Sequence, residues 1–417
     1  MLIRGPAARR QAFWSVVSAE MVVPFRAGTP ELCRMAQSTR ASRSAATLLY
    51  AESEHGADQL YFSGFRAGDP FITLRWRGKR FGVLNALEFG RARKESSLDR
   101  VLSLEDWAAT AKREFKMEQA GPAEVIAMLA RHFRIPVFQV PAAFPLGLAT
   151  KLQKLRVRLE PVDGELFPER EIKTAREARA IAEGNRCSAV GFAAAEALLR
   201  KARISRGHLM LDRKPLTSER LREEIEIACL RAGAVSLDTI AAGGDLACDP
   251  HCVGYGPLRA HELIIVDIFP RVTATGYHGD MTRTFLKGEP SDAQRKLVDA
   301  VRTAHAGAIK AVRAGVDGRT VHDGVVDHFK KLGYETTRGP KGAQGFFHGT
   351  GHGLGLNVHE APNLGRRPSL LRKGAVVTVE PGLYYPGLGG CRIEDVVQVT
   401  ARAAKPLSDY HYRWVIR

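Results

Sequence analysis

Cysteine is scarce in this chain: six in 417 residues, at positions 33, 187, 229, 248, 252 and 391, with no Cys-x-x-Cys pair. That density excludes a disulfide framework and leads us to expect a reducing, cytoplasmic compartment. No run of 18 or more apolar residues occurs, so no membrane-spanning helix is expected. The longest apolar runs, LIIVDIF and AVVTV, have the length of buried strands. Acidic side chains are in deficit, 45 against 62 Lys and Arg, for a net charge of +17. Such a surplus can mark a nucleic-acid binder. Here the basic residues are scattered and no nucleic-acid-binding motif appears, so a basic proteome is the preferred reading. Neither nucleic acid nor membrane is expected as a partner. What remains is an ordinary globular balance, 45% hydrophobic and 26% charged, in a chain long enough for two domains.

Residues 1–44 hold seven arginines and only two acids, Glu20 and Glu31. Glu20 interrupts the mildly apolar AFWSVVSAEMVVPF, which therefore lacks the core of a signal peptide. The segment reads as a disordered leader, a targeting segment, or translated sequence ahead of a start at Met21 or Met35. From Ala46 onward ATLLYA, QLYFSGF, FITLRW, RFGVLNAL and IPVFQV read as strands. PAEVIAMLARHFRI and FPLGLATKLQKL read as helices. Residues 45–165 thus form an expected α/β domain without a catalytic constellation. EPVDGELFPERE, with two prolines and a glycine, is the expected boundary. Residues 166–417 begin with two long amphipathic helical patterns, the second capped by Thr217 and stopped at Gly233. Strands with one or two further helices follow.

Chemistry-bearing residues gather after position 248. ELIIVDIF reads as a buried strand with Asp267 near its end. YHGDMTRTF alternates, so Asp280, Thr282 and Thr284 share a face. Pairing these strands as a hairpin brings two carboxylates together, and a divalent cation would relieve their repulsion. A solvated hairpin with two turn aspartates is the competing reading. FFHGTGHGLGLNVHEAPNLG places His348, His352 and His359 within twelve residues, among glycines that let the backbone approach a bound group. An anion-binding glycine loop competes, but no GKS or GKT follows. In AVVTVEPGLYYPGLGGCRIEDVVQVT, Glu380 closes an apolar strand, Gly389-Gly390 reads as a tight connection, and Glu394 returns beside Arg392. An Arg–Glu surface pair is the alternative there. Oxygen ligands with an imidazole suit manganese, cobalt, iron or zinc, and four carboxylates roughly neutralise two divalent ions.

The order Asp, Asp, His, Glu, Glu, with the words DMTRTF, HGTGHGLGL, VEPG and RIED, resembles the pita-bread metallopeptidases. That group includes methionine aminopeptidase, aminopeptidase P, prolidase and the metal-free creatinase. The resemblance covers roughly residues 165–417. It implies an α/β N-terminal creatinase-like domain followed by an α+β pita-bread catalytic domain. It further implies two divalent metal ions, manganese first, on Asp267, Asp280, His352, Glu380 and Glu394. Glu380 would also shuttle a proton. His348 and His359 would contact substrate and stabilise the tetrahedral intermediate, His251 would be a further active-site histidine, and Arg392 would steady the carboxylates. One departure stands out. Twelve residues separate Asp267 from Asp280, two more than is usual in the family, and DIFP replaces Asp-x-Gly. An even insertion leaves the strand register intact, so both aspartates stay as ligands.

The implied activity is hydrolysis of Xaa-Pro bonds, aminopeptidase ahead of dipeptidase, by a homodimer or higher oligomer acting on proline-containing peptides. A metal-dependent hydrolase or lyase of a small non-peptide substrate is the first alternative. A non-catalytic peptide- or nucleic-acid-binding module is the second. Cys248 and Cys252, flanking His251, leave a separate thiolate site as a minor reading.

Overall fold

A computed structural model describes residues 45–340 and 342–417. The expectations for residues 1–44 lie outside the described residues. The N-terminal part is a six-stranded mixed sheet built from β1 (Ala45–Ala51), β2 (Phe71–Trp76), β3 (Lys79–Leu84), β4 (Arg100–Ser103), β5 (Val137–Pro141) and β6 (Leu159–Val162). The spatial order is β4-β3-β2-β1-β5-β6. Strands β1 to β3 pair antiparallel, and β4, β5 and β6 join in parallel. Helices connect them: α1 (Ala57–Ser63), α2 (Ala86–Glu95), α3 (Leu104–Phe115), α4 (Pro122–Phe133) and α5 (Leu146–Lys154). Helix α4 starts at Pro122, whose missing N–H costs nothing in a first turn. QLYFSGF, expected as a strand, is instead the body of α1, stopped by Gly64 in the left-handed region. A seven-residue apolar run cannot separate the two by periodicity.

The C-terminal part is two half-units, each a sheet backed by a helix pair. Helix α6 (Ala175–Lys201), opened by a Thr174–Glu177 capping box, and α7 (Ser218–Arg231) back the first. Its sheet carries β7 (Ile240–Gly243), β8 (Leu263–Ile268) and β9 (Met281–Lys287), with Val415–Ile416 at the far edge. Ile264, Val266, Ile268, Met281 and Phe285 pack onto Phe192, Leu199, Leu221 and Ile225. Helices α8 (Asp292–Ala311) and α9 (Gly318–Lys331) back the second. Its sheet holds β10 (Gly351–Gly353), β11 (Glu360–Leu364), β12 (Val376–Val379) and β15 (Asp395–Val399), in the order β11-β10-β12-β15, with Ala404–Pro406 beyond. A hairpin of β13 (Gly382–Tyr385) and β14 (Gly389–Arg392) links β12 to β15. Its turn is Pro386–Leu388, so Gly389 and Gly390 lie on the strand and not in the connection the sequence suggested.

Strand alternation then decides what faces the chemistry. Val377, Val379, Val397 and Val399 point to α8 and α9. Glu380 and Glu394, just past the facing ends of β12 and β15, fall on the opposite side. Asp395, one residue on, turns back to His305 of α8 at 3.2 Å. In the first sheet Ile264 and Val266 face the helices, which leaves Asp267 facing away from them.

Candidate metal centre

Strand β8 pairs with β9 so that Asp267 lies opposite Thr282. Asp280, two residues before Thr282, therefore projects to the same face as Asp267. The twelve residues between them keep both side chains on that face. Helix α6 makes room for this end of the hairpin. A Cβ on Gly184 would meet the Gly279 backbone N at 2.3 Å, so only glycine permits the approach. The contact lets the Asp280 N–H donate to Asn185 Oδ1 at 2.8 Å. Gly351 does the same for His352, because a Cβ there would meet the Thr378 carbonyl at 2.0 Å. The His352 N–H donates to Thr378 Oγ1 at 3.1 Å.

One ligand atom each of Asp280, His352 and Glu394 lies within 4.8 Å of the others. His352 Nε2 is 3.4 Å from Glu380 Oε1 and 3.7 Å from Asp280 Oδ2. Thr282 Oγ1 donates to Glu394 Oε2 at 2.8 Å. Arg392 donates to Asp267 Oδ2 at 2.8 Å, to Thr282 Oγ1 at 3.2 Å and to Tyr384 Oη at 3.0 Å. Asp267 Oδ1 is buried with no hydrogen-bond partner. Asp267, Asp280, Glu394 and Arg392 are buried, whereas His352 and Glu380 keep partial exposure.

Buried carboxylates facing one another resist ionising together. Burial holds Asp280 well above the usual carboxylate range, and Glu394, Asp267 and Glu380 add to the effect. Glu394 is raised for the same reasons, burial first and then Glu380 and Asp267. Burial lifts Glu380 to about 7 against the pull of Arg392. His352 and His359 are lowered by burial, and His348 to about 3 by burial and Arg392, so these imidazoles are neutral near pH 7. Neutral imidazole, raised carboxylates and an unpartnered buried oxygen are the donor chemistry that divalent cations complete. Asp267, Asp280, His352, Glu380 and Glu394 can hold them.

The outer histidines spread around this cage. His359 packs its ring on His352, centroids 4.3 Å apart. His348 Nε2 meets Tyr384 Oη at 2.8 Å and so reaches Arg392 indirectly. His251 stays exposed on the turn after residues 244–248. It faces the same site as His348, His359 and Glu380. Cys248 is pushed up to about 12 by burial and is a protonated thiol. Sequence reasoning missed Asn185, Thr378 and Tyr384. It also missed Asp395, which accepts from Arg283 at 2.9 Å and Tyr412 at 2.6 Å behind Glu394. A lone polar residue in a helical or strand pattern carries no signal of its partner. The one available cue was Asp395, an acid directly after a candidate ligand.

An α/β unit ahead of two helix-backed sheets, whose meeting faces gather four carboxylates and an imidazole, is the architecture of a pita-bread peptidase. The chain belongs to metallopeptidase family M24, whose model matches residues 179–401. It is 33% identical over 175 residues to a Xaa-Pro dipeptidase of Pyrococcus furiosus, covering 42% of this chain and 47% of that one. It is 35% identical over 206 residues to an uncharacterized peptidase of Bacillus subtilis, covering 48% and 56%. The chain thus spans about half the length of the curated relatives it matches. Among solved structures, an X-Pro aminopeptidase from Thermotoga maritima superposes with a TM-score of 0.75 at 24% identity, over 91% of this chain and 100% of that one. A Xaa-Pro dipeptidase from Bacillus anthracis gives 0.76 at 23%, over 93% and 99%. At those identities the likeness shows the fold alone.

Proposed function

We propose that this chain is a dinuclear-metal exopeptidase that hydrolyses the bond before proline, Xaa-Pro aminopeptidase activity standing ahead of Xaa-Pro dipeptidase. The observation that carries the reading is the buried convergence of Asp280, His352 and Glu394, with Asp267 and Glu380 beside them. Those five would hold two divalent cations, manganese first, with cobalt, zinc or iron as alternatives. Bound there, the pair supplies Lewis acidity toward the scissile carbonyl and makes water nucleophilic near neutral pH. Glu380, beside that pair, would take a proton on its carboxylate and return it to the departing proline nitrogen. Neutral His359 offers an N–H where negative charge develops on the carbonyl oxygen. His348, steadied by Tyr384, contacts the substrate. Arg392 holds Asp267 and partly offsets the carboxylate charge. The names of the relatives, Xaa-Pro dipeptidase and X-Pro aminopeptidase, support the substrate class and divide on peptide length. A cytoplasmic homodimer or higher homo-oligomer completes the reading.

A length series of Xaa-Pro peptides, offered to protein loaded with manganese or cobalt, tests it. Turnover that extends to tripeptides and longer chains is expected. Cleavage confined to dipeptides would move the assignment to dipeptidase. Turnover of small non-peptide acids without any Xaa-Pro cleavage would overturn it.

A further inference from the structure

One buried set of charges takes no part in the chemistry above. Arg170, in the segment joining the N-terminal sheet to α6, donates through Nη1 to Asp58 Oδ1 of α1 at 2.6 Å. Through Nη2 it pairs with Glu360 Oε1. Lys173 Nζ donates to the other Glu360 oxygen at 3.0 Å and to the Arg170 carbonyl at 2.6 Å. The side chains of Arg170, Glu360 and Lys173 are 8%, 7% and 1% exposed. Two positive and two negative charges balance. A desolvated set of this kind holds only while every partner stays in place.

Glu360 also shapes the loop before it. Its Oε1 accepts the Asn357 N–H at 3.0 Å. Its carboxylate lies where a Cβ on Gly355 would sit, 2.5 Å from Oε2. The Gly355 carbonyl accepts the His278 N–H at 2.9 Å, which ties the same loop to the hairpin that presents Asp280. His359 is the residue between this closed loop and Glu360. Its ring packs against His352, centroids 4.3 Å apart, and it is next in the chain to the carboxylate that clamps the loop. The N-terminal sheet holds no group of the cage, yet Asp58 reaches this clamp through one arginine.

We infer that Glu360 and Arg170 are positioning residues that fix His359, and that Asp58 makes the N-terminal unit a working part of the substrate site. In its kinetic part this rests on the Xaa-Pro peptidase reading. In its structural part it does not. Charge, and not only side-chain bulk, is required at position 170.

Two readouts on the full chain test it: hydrogen–deuterium exchange of residues 353–360, and kcat and KM on an Xaa-Pro tripeptide with manganese. In Arg170→Met, exchange in 353–360 should rise about tenfold while Val376–Val379 is unchanged. kcat/KM should fall about ten- to a hundredfold, with manganese binding retained. Arg170→Lys keeps the charge but offers one nitrogen to two carboxylates, so it should recover part of both. Asp58→Asn keeps the Arg170–Glu360 contact and should give a smaller shift in the same direction. It serves as the readout should Arg170→Met fail to fold. Unchanged exchange in 353–360 overturns the inference, and so does a loosened loop with unaltered kcat and KM. If the wild type cleaves no Xaa-Pro bond, the proposed function falls, and the exchange result alone decides whether the clamp exists.

Discussion

The two halves of the molecule bury polar groups in different ways. In residues 45–162 the buried polar side chains are Thr47, Ser53, Gln59, Ser63 and Thr73, all neutral. From Arg170 onward the buried set includes Arg170, Lys173, Asp267, Asp280, Arg283, His305, Arg392, Glu394 and Asp395. A neutral buried group needs only a hydrogen bond, as Thr73 finds in Gln59 at 2.8 Å. A buried charge needs a counter-charge or a ligand. The fully buried polar side chains of the N-terminal unit are therefore neutral, and a charged contact with the rest of the chain lies at Asp58, which pairs with Arg170. The C-terminal unit keeps an interior that a bound cation would finish, and that contrast locates the chemistry without reference to any relative.

Substitutions that attack the two interiors should separate them, and the cage should respond most. Glu380→Ala should lower kcat on Xaa-Pro peptides by about 10²–10⁴-fold, and His352→Ala should leave no measurable turnover, while both proteins stay folded by circular dichroism. A paired glycine test comes next. Gly184→Ala forces a Cβ onto Gly279 and should cost about 1–3 kcal/mol in denaturant unfolding, together with loss of activity. Gly90→Ala, on exposed α2 with open space around it, should stabilise by about 0.5–1 kcal/mol and leave kcat/KM unchanged. If both glycines behave alike, the contrast between the halves is wrong.

A smaller effect concerns pH. Burial alone would raise Glu360, but Lys173 and Arg170 outweigh it and hold the carboxyl below its ordinary 4.5. A depressed folded value gives stability that is present above the unfolded value and lost as pH falls through the folded one. The melting-temperature gap between wild type and Glu360→Gln should be full at neutral pH and should narrow once pH drops below 4.5. A gap that widens in acid would contradict the ion cluster. The smallest effect is local. Asn85→Ala removes the cap of α2, whose side chain accepts the Glu88 N–H at 3.1 Å. It should cost about 1 kcal/mol with no change in activity.

Legibility in the sequence also differs between the halves. Strand alternation in ELIIVDIF and DMTRTF let Asp267 and Asp280 be placed on a common face from period, whereas Glu380 and Glu394, on another sheet, joined them only through the order of the motifs. Helix α1 could not be placed, because QLYFSGF is too short and too apolar to distinguish a helix from a strand. Gly184 and Asn185 sit in a long helical pattern in which nothing sets them apart, since their roles come from Gly279 packing across from nearly a hundred residues away. Arg170 sits in the Pro- and Gly-bearing boundary segment and Lys173 at the start of the helical pattern after it, and neither position marks a buried charge. Their burial depends on Asp58 and Glu360, which lie far from them in the chain and in separate structural units.

Calorimetric titration of metal-free protein with manganese tests the central claim most directly. Two ions per chain should bind to the wild type, and Asp280→Asn and His352→Ala should each abolish or sharply weaken that binding. A wild type that takes up no manganese, or variants that bind it just as well, would contradict a cage formed by these side chains.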